Sequence, residues 1–286
     1  MKIQHIKAGS KDFPARLINI PDSPKDLYVI GDLTSILVKT SLSVVGSRRV
    51  SPYGRGVTTN LVSAVASRGV SIVSGLAIGV DGISHEVALS SGGRTVAVLP
   101  CGLDAPYPVR HRQLARRILE KGGALISEYP SGTPPLQHHF IARNRIVAGL
   151  GDGLLVTEAA AKSGTMHTAG FALDQGKPVM TVPGNITSYL SQGTNNLIKS
   201  GAIPVTEVSD ITQALKLDVA LEQSEVLAAS KEEEAILSQL KLGVSDAEQL
   251  QILSELNPET FNQTLTMLEI TGKITPIGAG NWSIAG

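Results

Sequence analysis

From residue 42 onward the chain alternates short, unbroken apolar runs with longer stretches of helical period. LSVVGS leads into YGRGVTTNLVSAVASRG, where Val57, Leu61, Ala64 and Val65 recur at helical spacing. VSIVSG leads into DGISHEVALSSGG, and TVAVLPCG into RHRQLARRILEKGG; ALISEYP, GLLVTEA, PVMTVPG and AIPVTEV continue the series. Strands covered on both faces read as continuous apolar runs, and the helices between them supply the crossovers. Gly69, Gly92, Gly93, Gly122, Gly123 and Gly176 fall where helices should stop. The pattern predicts a doubly wound α/β domain with a mostly parallel sheet over residues 42–217.

The flanks read differently. Residues 1–41 contain DFPARLINIPDSPKDLYVIGD, which is Pro-punctuated and has no sustained period, and are expected to form a leader packed on the sheet. Residues 218–230, DVALEQSEVLAAS, are polar and read as a linker. Residues 231–286 give three helical patterns, EEEAILSQL, DAEQLQILSEL and NPETFNQTLTMLEITG, followed by two short strands around a Gly-rich turn in KITPIGAGNWSIAG. Asn257 and Pro258 form a helix start, and Phe261, Leu265, Met267 and Leu268 are placed on that helix's apolar side. Three helices and a hairpin in this order predict a small winged-helix domain.

The 286 residues, 42% of them hydrophobic, suffice for a large core plus a small one. The start of the chain has no signal-peptide core and no run reaches membrane-spanning length, so no membrane partner is expected. The single Cys101 forms no internal disulfide; it is expected as a small buried residue in a cytoplasmic protein. Net charge is zero, but residues 1–217 hold 22 Lys and Arg against 14 Asp and Glu, a formal +8, while residues 218–286 hold 3 against 11. That split points to a polyanionic partner for the basic part and makes the acidic end a poor grip on nucleic acid.

Open parallel sheets take ligands at the carboxyl ends of their strands, so the loops there carry the candidates. A dinucleotide site is not expected: VVGSRRVSPYG replaces the G-x-G-x-x-G, and Ser74 and Gly75 end the second run where a ribose-binding acid belongs. Neither a Walker sequence nor a nucleophile elbow around Ser47 is present. Asp81 and His85 stand at i,i+4, His138 and His139 match no zinc spacing, and nothing fixes the separation of Glu128 and Glu158 as an acid–base pair. No catalytic residue, cofactor or metal is therefore assigned. Ser163 reads first as the cap of its helix, in an SGT turn that also suits a phosphate.

The arginines are concentrated. Arg48 and Arg49 leave the first strand of the series; Arg143 and Arg145 flank Asn144; Arg110, Arg112, Arg116, Arg117 and Lys121 load one helix, which also reads as an ordinary solvated face. Together they suit a groove that tracks a phosphate backbone, and Phe140 beside them is the candidate stacking platform for single strands. If residues 141–150 are helical throughout, Arg143 and Arg145 point about 200° apart. Either HFIARNR is then an irregular helix entry, or one arginine meets phosphate and the other holds the sheet edge.

VVGSRRVSPYG, SGLAIGVDGISHEVAL, LPCGLDAPYPVRHRQL, ISEYP, HHFIARNRIVAGL, EAAAKSGTMHTAGFALDQGKPVMTVPG and SQGTNNLIKSGA, in this order, closely resemble the DprA (Smf) family. The match runs from about residue 12 to residue 211, and the C-terminal segment is similar to the winged-helix domain many members carry. The helical N-terminal domain of some members is expected to be missing. The resemblance implies a non-catalytic protein that binds single-stranded DNA with little base preference, protects it, and loads the RecA recombinase onto it during natural transformation. It also implies a homodimer through the Rossmann-like domain. Carried over to matching positions, it implies nucleic-acid contacts at Gly46, Ser47 and Arg48 of GSR, at Gln137, at Phe140, Arg143, Asn144 and Arg145 of F-x-x-RNR, and at Ser163, Gly164 and Thr165 of SGT. Gln137 departs from the basic residue of several members, a deficit that His138 or the Arg110–Lys121 helix is placed to offset. The competing expectation is a LOG-like phosphoribohydrolase of nucleoside monophosphates, echoed by Glu158 and SGT but lacking that group's Gly-Gly-x-Gly-Thr helix opening. A third is an adaptor acting through the acidic end, which is expected to add no DNA affinity.

Overall fold

A computed structural model describes residues 2–217, 228, 230–278 and 280–284 and divides into two compact units, Met1–Asp218 and Val219–Gly286. Among the described residues, the first holds nine strands: β1 (Gln4–Lys7), β2 (Asp26–Ile30), β3 (Ser41–Val45), β4 (Ser71–Ser74), β5 (Thr95–Leu99), β6 (Ala124–Ser127), β7 (Gly153–Val156), β8 (Val179–Thr181) and β9 (Ile203–Pro204). Its helices are α1 (Ala15–Ile18), α2 (Leu33–Leu37), α3 (Pro52–Ser67), α4 (Val80–Ser90), α5 (Arg112–Glu120), α6 (Gln137–Leu150), α7 (Gly164–Asp174), α8 (Gln192–Lys199) and α9 (Val208–Ala214).

The strands form one sheet in the order β1-β2-β6-β5-β4-β3-β7-β8-β9, parallel from β6 through β9. Strands β3 to β8 are buried along their whole length, which is why they read as unbroken apolar runs. The hydroxyls inside those runs are satisfied locally: Ser43 donates to the Val147 carbonyl (2.6 Å), Ser74 to Val44 (2.6 Å) and Ser127 to Cys101 (2.7 Å). One face packs against α1, α6, α7 and α8; the other is covered by α3, α4, α5 and α9. This is the doubly wound, Rossmann-like α/β fold. Cys101, just past β5, is buried.

The chain steps from β3 outward to β6, crosses back through α6, and resumes at β7 on the other side of β3. The order therefore reverses between β3 and β7, where the loops after the two strands part and open a crevice.

The leader does more than pack on the sheet. Residues 26–30 and 4–7 extend it with two antiparallel strands, β2 on β6 and β1 at the edge on β2. The signal of β1 is weak because an edge strand buries little: only its Ile6 is buried, and the edge carries a His5–Asp26 pair (2.7 Å) instead, whereas β2 buries Leu27, Val29 and Ile30. Arg16 ties the leader down, donating to Asp152 (2.9 Å) and to the Leu150 carbonyl at the end of α6 (3.0 Å).

The second unit contains α10 (Lys231–Lys241), α11 (Ala247–Ser254), α12 (Pro258–Ile270) and the antiparallel hairpin β10 (Ile274–Gly278) and β11 (Asn281–Ile284). Asn257 caps α12, accepting from the Thr260 amide (3.0 Å). Phe261, Leu265 and Leu268 enter the core of this unit, but Met267 does not: it is 52% exposed, because it lies about 240° around the helix from Phe261. Most of the linker expected over 218–230 lies outside the described residues.

Candidate functional site

A cavity of about 700 Å³ opens at the crevice between β3 and β7. Its walls come from the loop after β3 (Gly46 to Arg49), the loop after β7 (Ala160 to Thr165) and the first turns of α6 (Gln137, Phe140, Ile141, Asn144). The β3 loop is pinned from both sides. Ser47 donates its amide to the Glu158 carbonyl (2.7 Å), and its own carbonyl accepts from Val80 (3.2 Å). Gly46 leaves no room for a side chain: a Cβ would stand 2.6 Å from a Val80 methyl and 2.9 Å from the Glu158 carbonyl. With the backbone fixed, Arg48 and Arg49 project into solvent at the cavity wall.

On the opposite wall Ser163 accepts from the Thr165 amide (3.2 Å) and so caps α7, while the Thr165 hydroxyl donates to the Gly46 carbonyl (3.1 Å) and joins the two loops. Gly164 at the helix start faces open space, so the positive end of α7 meets the cavity. Lys162 stands beside it, exposed. Among the described residues, Arg48, Arg49 and Lys162 enter no ion pair. The Arg48 guanidinium lies over the Phe140 ring, 5.3 Å from its centroid. Tyr107 meets the same ring edge-on at 5.8 Å, and Tyr189, 63% exposed, lines the cavity from the loop after β8. The surroundings thus present unpaired cations, a helix start and three aromatic rings.

The two arginines of α6 are placed differently from Arg48. The helix is regular from Gln137, so its arginines diverge as their spacing requires. Arg143 lies in the cavity lining yet is only 4% exposed, and its Nη1 donates to the carbonyls of Gly75 (2.6 Å) and Val98. It thereby fastens the ends of β4 and β5. Burial lowers its pKa to about 10, opposed by Asp81, so it stays charged at neutral pH. Burial raises the pKa of Asp81, opposed by the nearby Arg143 charge and by the Ala77 and Gly75 amides that the carboxylate accepts. A side chain at Gly75 would strike the guanidinium. Arg145 lies outside the cavity. It is buried in a two-pronged pair with Glu128 (2.9 and 2.7 Å) and bonds the Asp22 carbonyl (2.7 Å) and carboxylate (3.0 Å), fixing the leader to the end of β6. Both arginines hold the sheet, and neither projects freely as Arg48 does.

The cavity brings together Gly46, Ser47, Arg48, Gln137, Phe140, Arg143, Asn144, Ser163, Gly164 and Thr165; of the residues marked from the sequence, only Arg145 is elsewhere. Gln137 sits at the rim, exposed. The other candidates have structural partners. His85 is fully buried against Thr95 (2.7 Å), and His139 stacks on Tyr129 with ring centroids 3.8 Å apart. Glu128 and Glu158 follow strands with β5, β4 and β3 between them, so they do not face each other. Glu158 accepts from the amide (2.9 Å) and hydroxyl of Ser51 and is absent from the lining of this cavity. The Arg110–Lys121 helix contributes no lining residue. Among the described residues no group of three or more His, Cys, Asp or Glu is placed to hold a metal, and no helix is long and apolar enough to cross a membrane.

Sequence reading missed Lys162, Tyr107 and Tyr189. All three lie in the loops after β7, β5 and β8, so the strand-end rule pointed to their segments but not to the side chains that turn inward.

A family model described as DNA recombination-mediator protein A matches residues 4–216. Protein Smf of Escherichia coli is 46% identical over 211 residues, 74% of this chain and 56% of that protein. DNA processing protein DprA of Bacillus subtilis is 38% identical, covering 74% of this chain and 71% of its own. The chain therefore spans little more than half the length of the Escherichia coli relative. Among solved structures, DprA of Streptococcus pneumoniae superposes with a TM-score of 0.70 at 37% identity, covering 74% of each chain. DNA processing protein A of Helicobacter pylori, described for its single-stranded DNA binding mode, superposes at 0.68 with 32% identity over 75% of this chain and 96% of that one. The match coincides with the nine-stranded unit and its crevice: the chain belongs to the DNA recombination-mediator protein A (DprA/Smf) family.

Proposed function

We propose that this protein binds single-stranded DNA, without sequence specificity, in the cavity at the β3–β7 crevice. The carrying observation is the set of three unpaired cations, Arg48, Arg49 and Lys162, around a cavity that also holds Phe140. Cations meet the phosphates, and exposed rings take unpaired bases, which a duplex keeps stacked inside itself. Arg48 over Phe140 sets a phosphate contact within one nucleotide of a stacking surface. Family membership supports the wider role: shielding incoming strands and loading RecA onto them during natural transformation, in the cytoplasm, as a homodimer through the Rossmann-like unit. The second unit, read as a winged helix, has 10 acidic against 3 basic residues over 219–286 and serves a protein partner rather than DNA.

Titrating a labelled oligothymidine, with and without duplex competitor, over a salt series tests the reading. The single strand should win, and affinity should fall with salt. Arg48→Ala should weaken binding and flatten the log–log slope by about 0.7, the loss of one phosphate contact on a single strand. Unchanged binding by Arg48→Ala sinks the cavity assignment.

A further inference from the structure

A second cavity, about 500 Å³, lies beside the first. The same three loops partition them. The loop after β3 gives Arg48 and Arg49 to the first and leads to Ser51 and Tyr53 in the second. The β7 exit gives Lys162 to the first and Glu158 to the second; the loop after β8 turns Tyr189 and Leu190 to one side and Ser188 and Ser191 to the other. Their chemistry is opposite. Among the described residues, the second cavity's lining includes no Lys, Arg or His. Its wall holds the Glu158 carboxylate, 2% exposed and in no ion pair among the described residues. A carboxylate offers about four acceptor positions, and Ser51 occupies two of Glu158's. The Tyr53 hydroxyl is committed to the Pro183 carbonyl (2.6 Å), which fixes its half-exposed ring at the cavity edge.

Such a site repels phosphate and accepts hydrogen-bond donors from a flat, neutral group. Resting on the single-strand reading, we propose that the second cavity is a nucleobase subsite for bases with an exocyclic amino group, cytosine above all. The base lies against Tyr53 and its amino group donates to Glu158, while its phosphate stays with the cations next door. Carboxylates take the cytosine amino group in this way, and the volume admits a base with room to spare. The result is a bias in composition, not recognition of a sequence.

The test uses the full chain and three labelled oligomers of equal length at one salt concentration: oligothymidine, oligocytidine, and oligocytidine methylated twice at N4, which removes the donor. The cytosine oligomer should bind about tenfold tighter than thymidine, one charge-assisted hydrogen bond, and N4 dimethylation should erase the gain. Ser188→Phe, at a residue that lines this cavity and not the first, should erase it too and leave oligothymidine binding unchanged. Glu158→Gln should reduce the gain, with thermal melting checking that the protein remains folded. Equal binding of cytosine and thymidine oligomers, or a gain that survives dimethylation or Ser188→Phe, overturns the subsite alone. No binding of any oligomer overturns the single-strand reading, and the subsite with it.

Discussion

Arg143 and Arg48 line one cavity, yet removing them should damage different properties. Arg143→Ala takes away the donor shared by the Gly75 and Val98 carbonyls and the opposite charge that acts on buried Asp81. Hydrogen bonds from a charged group contribute about 1.5–3 kcal/mol, and each buried carbonyl left unmet costs about 1–3 kcal/mol. With partial relaxation and water entering from the cavity, the loss should be about 3–5 kcal/mol, the range for breaking a buried charged contact. For a unit of this size that lowers the melting temperature by roughly 10 °C. The salt slope of single-strand binding, measured well below melting, should hardly move, since Arg143 is 4% exposed with its Nη1 engaged by carbonyls. Arg48→Ala should do the reverse: a slope flatter by about 0.7, with melting within about 2 °C because Arg48 is exposed and unpaired. Differential scanning fluorimetry and a four-point salt titration on both variants decide the matter. If Arg143→Ala flattens the slope as Arg48→Ala does and melts like the parent, the assignment of Arg143 to the scaffold is wrong.

Two other outcomes are expected. His85 is buried with its pKa pushed down to about 3, first by desolvation and then by His111 and Arg143; the unfolded chain takes that proton near 6.5. Stability is therefore full above about pH 6.5 and falls as pH drops towards 3, by at most about 1.4 kcal/mol per pH unit from this group. Urea unfolding at pH 7 and 5 should show a flatter loss in His85→Gln; an identical loss refutes the assignment. Deleting residues 219–286, which form their own unit, should leave single-strand affinity equal or higher, because net negative charge is removed. A truncated chain that binds much more weakly would show that the acidic unit grips DNA.

Much of this architecture was legible because burial on both faces forces strands into continuous apolar runs, and β3 to β8 obey that rule throughout. The loops after those strands were marked as candidates for the same topological reason. The leader's strands were not legible: β1, at the sheet edge, buries only Ile6, and β2, paired between β1 and β6, buries Leu27, Val29 and Ile30 in a run too short to stand out from a Pro-punctuated segment. Tyr107, Tyr189 and Lys162 were missed because a loop's path, and so the direction of its side chains, follows from contacts distant in sequence.

The arginines of HHFIARNRIVAG mark the boundary most clearly. Helical geometry alone required Arg143 and Arg145 to diverge, and the sequence determined that. Where each one ended was decided by the tertiary structure. The crossover from β6 back to β7 lays α6 against the sheet, so Arg143 reaches the carbonyls of Gly75 and Val98 while Arg145 reaches Glu128 and Asp22. The sequence specified a concentration of positive charge at the strand ends. Only folding sorted it into buried cations that hold the sheet and exposed ones, Arg48, Arg49 and Lys162, with charge to offer a partner. The physical reason is desolvation: a guanidinium cut off from water turns to protein acceptors, as Arg143 does to the Gly75 and Val98 carbonyls and Arg145 to Glu128, and one left at the crevice keeps its donors for a partner.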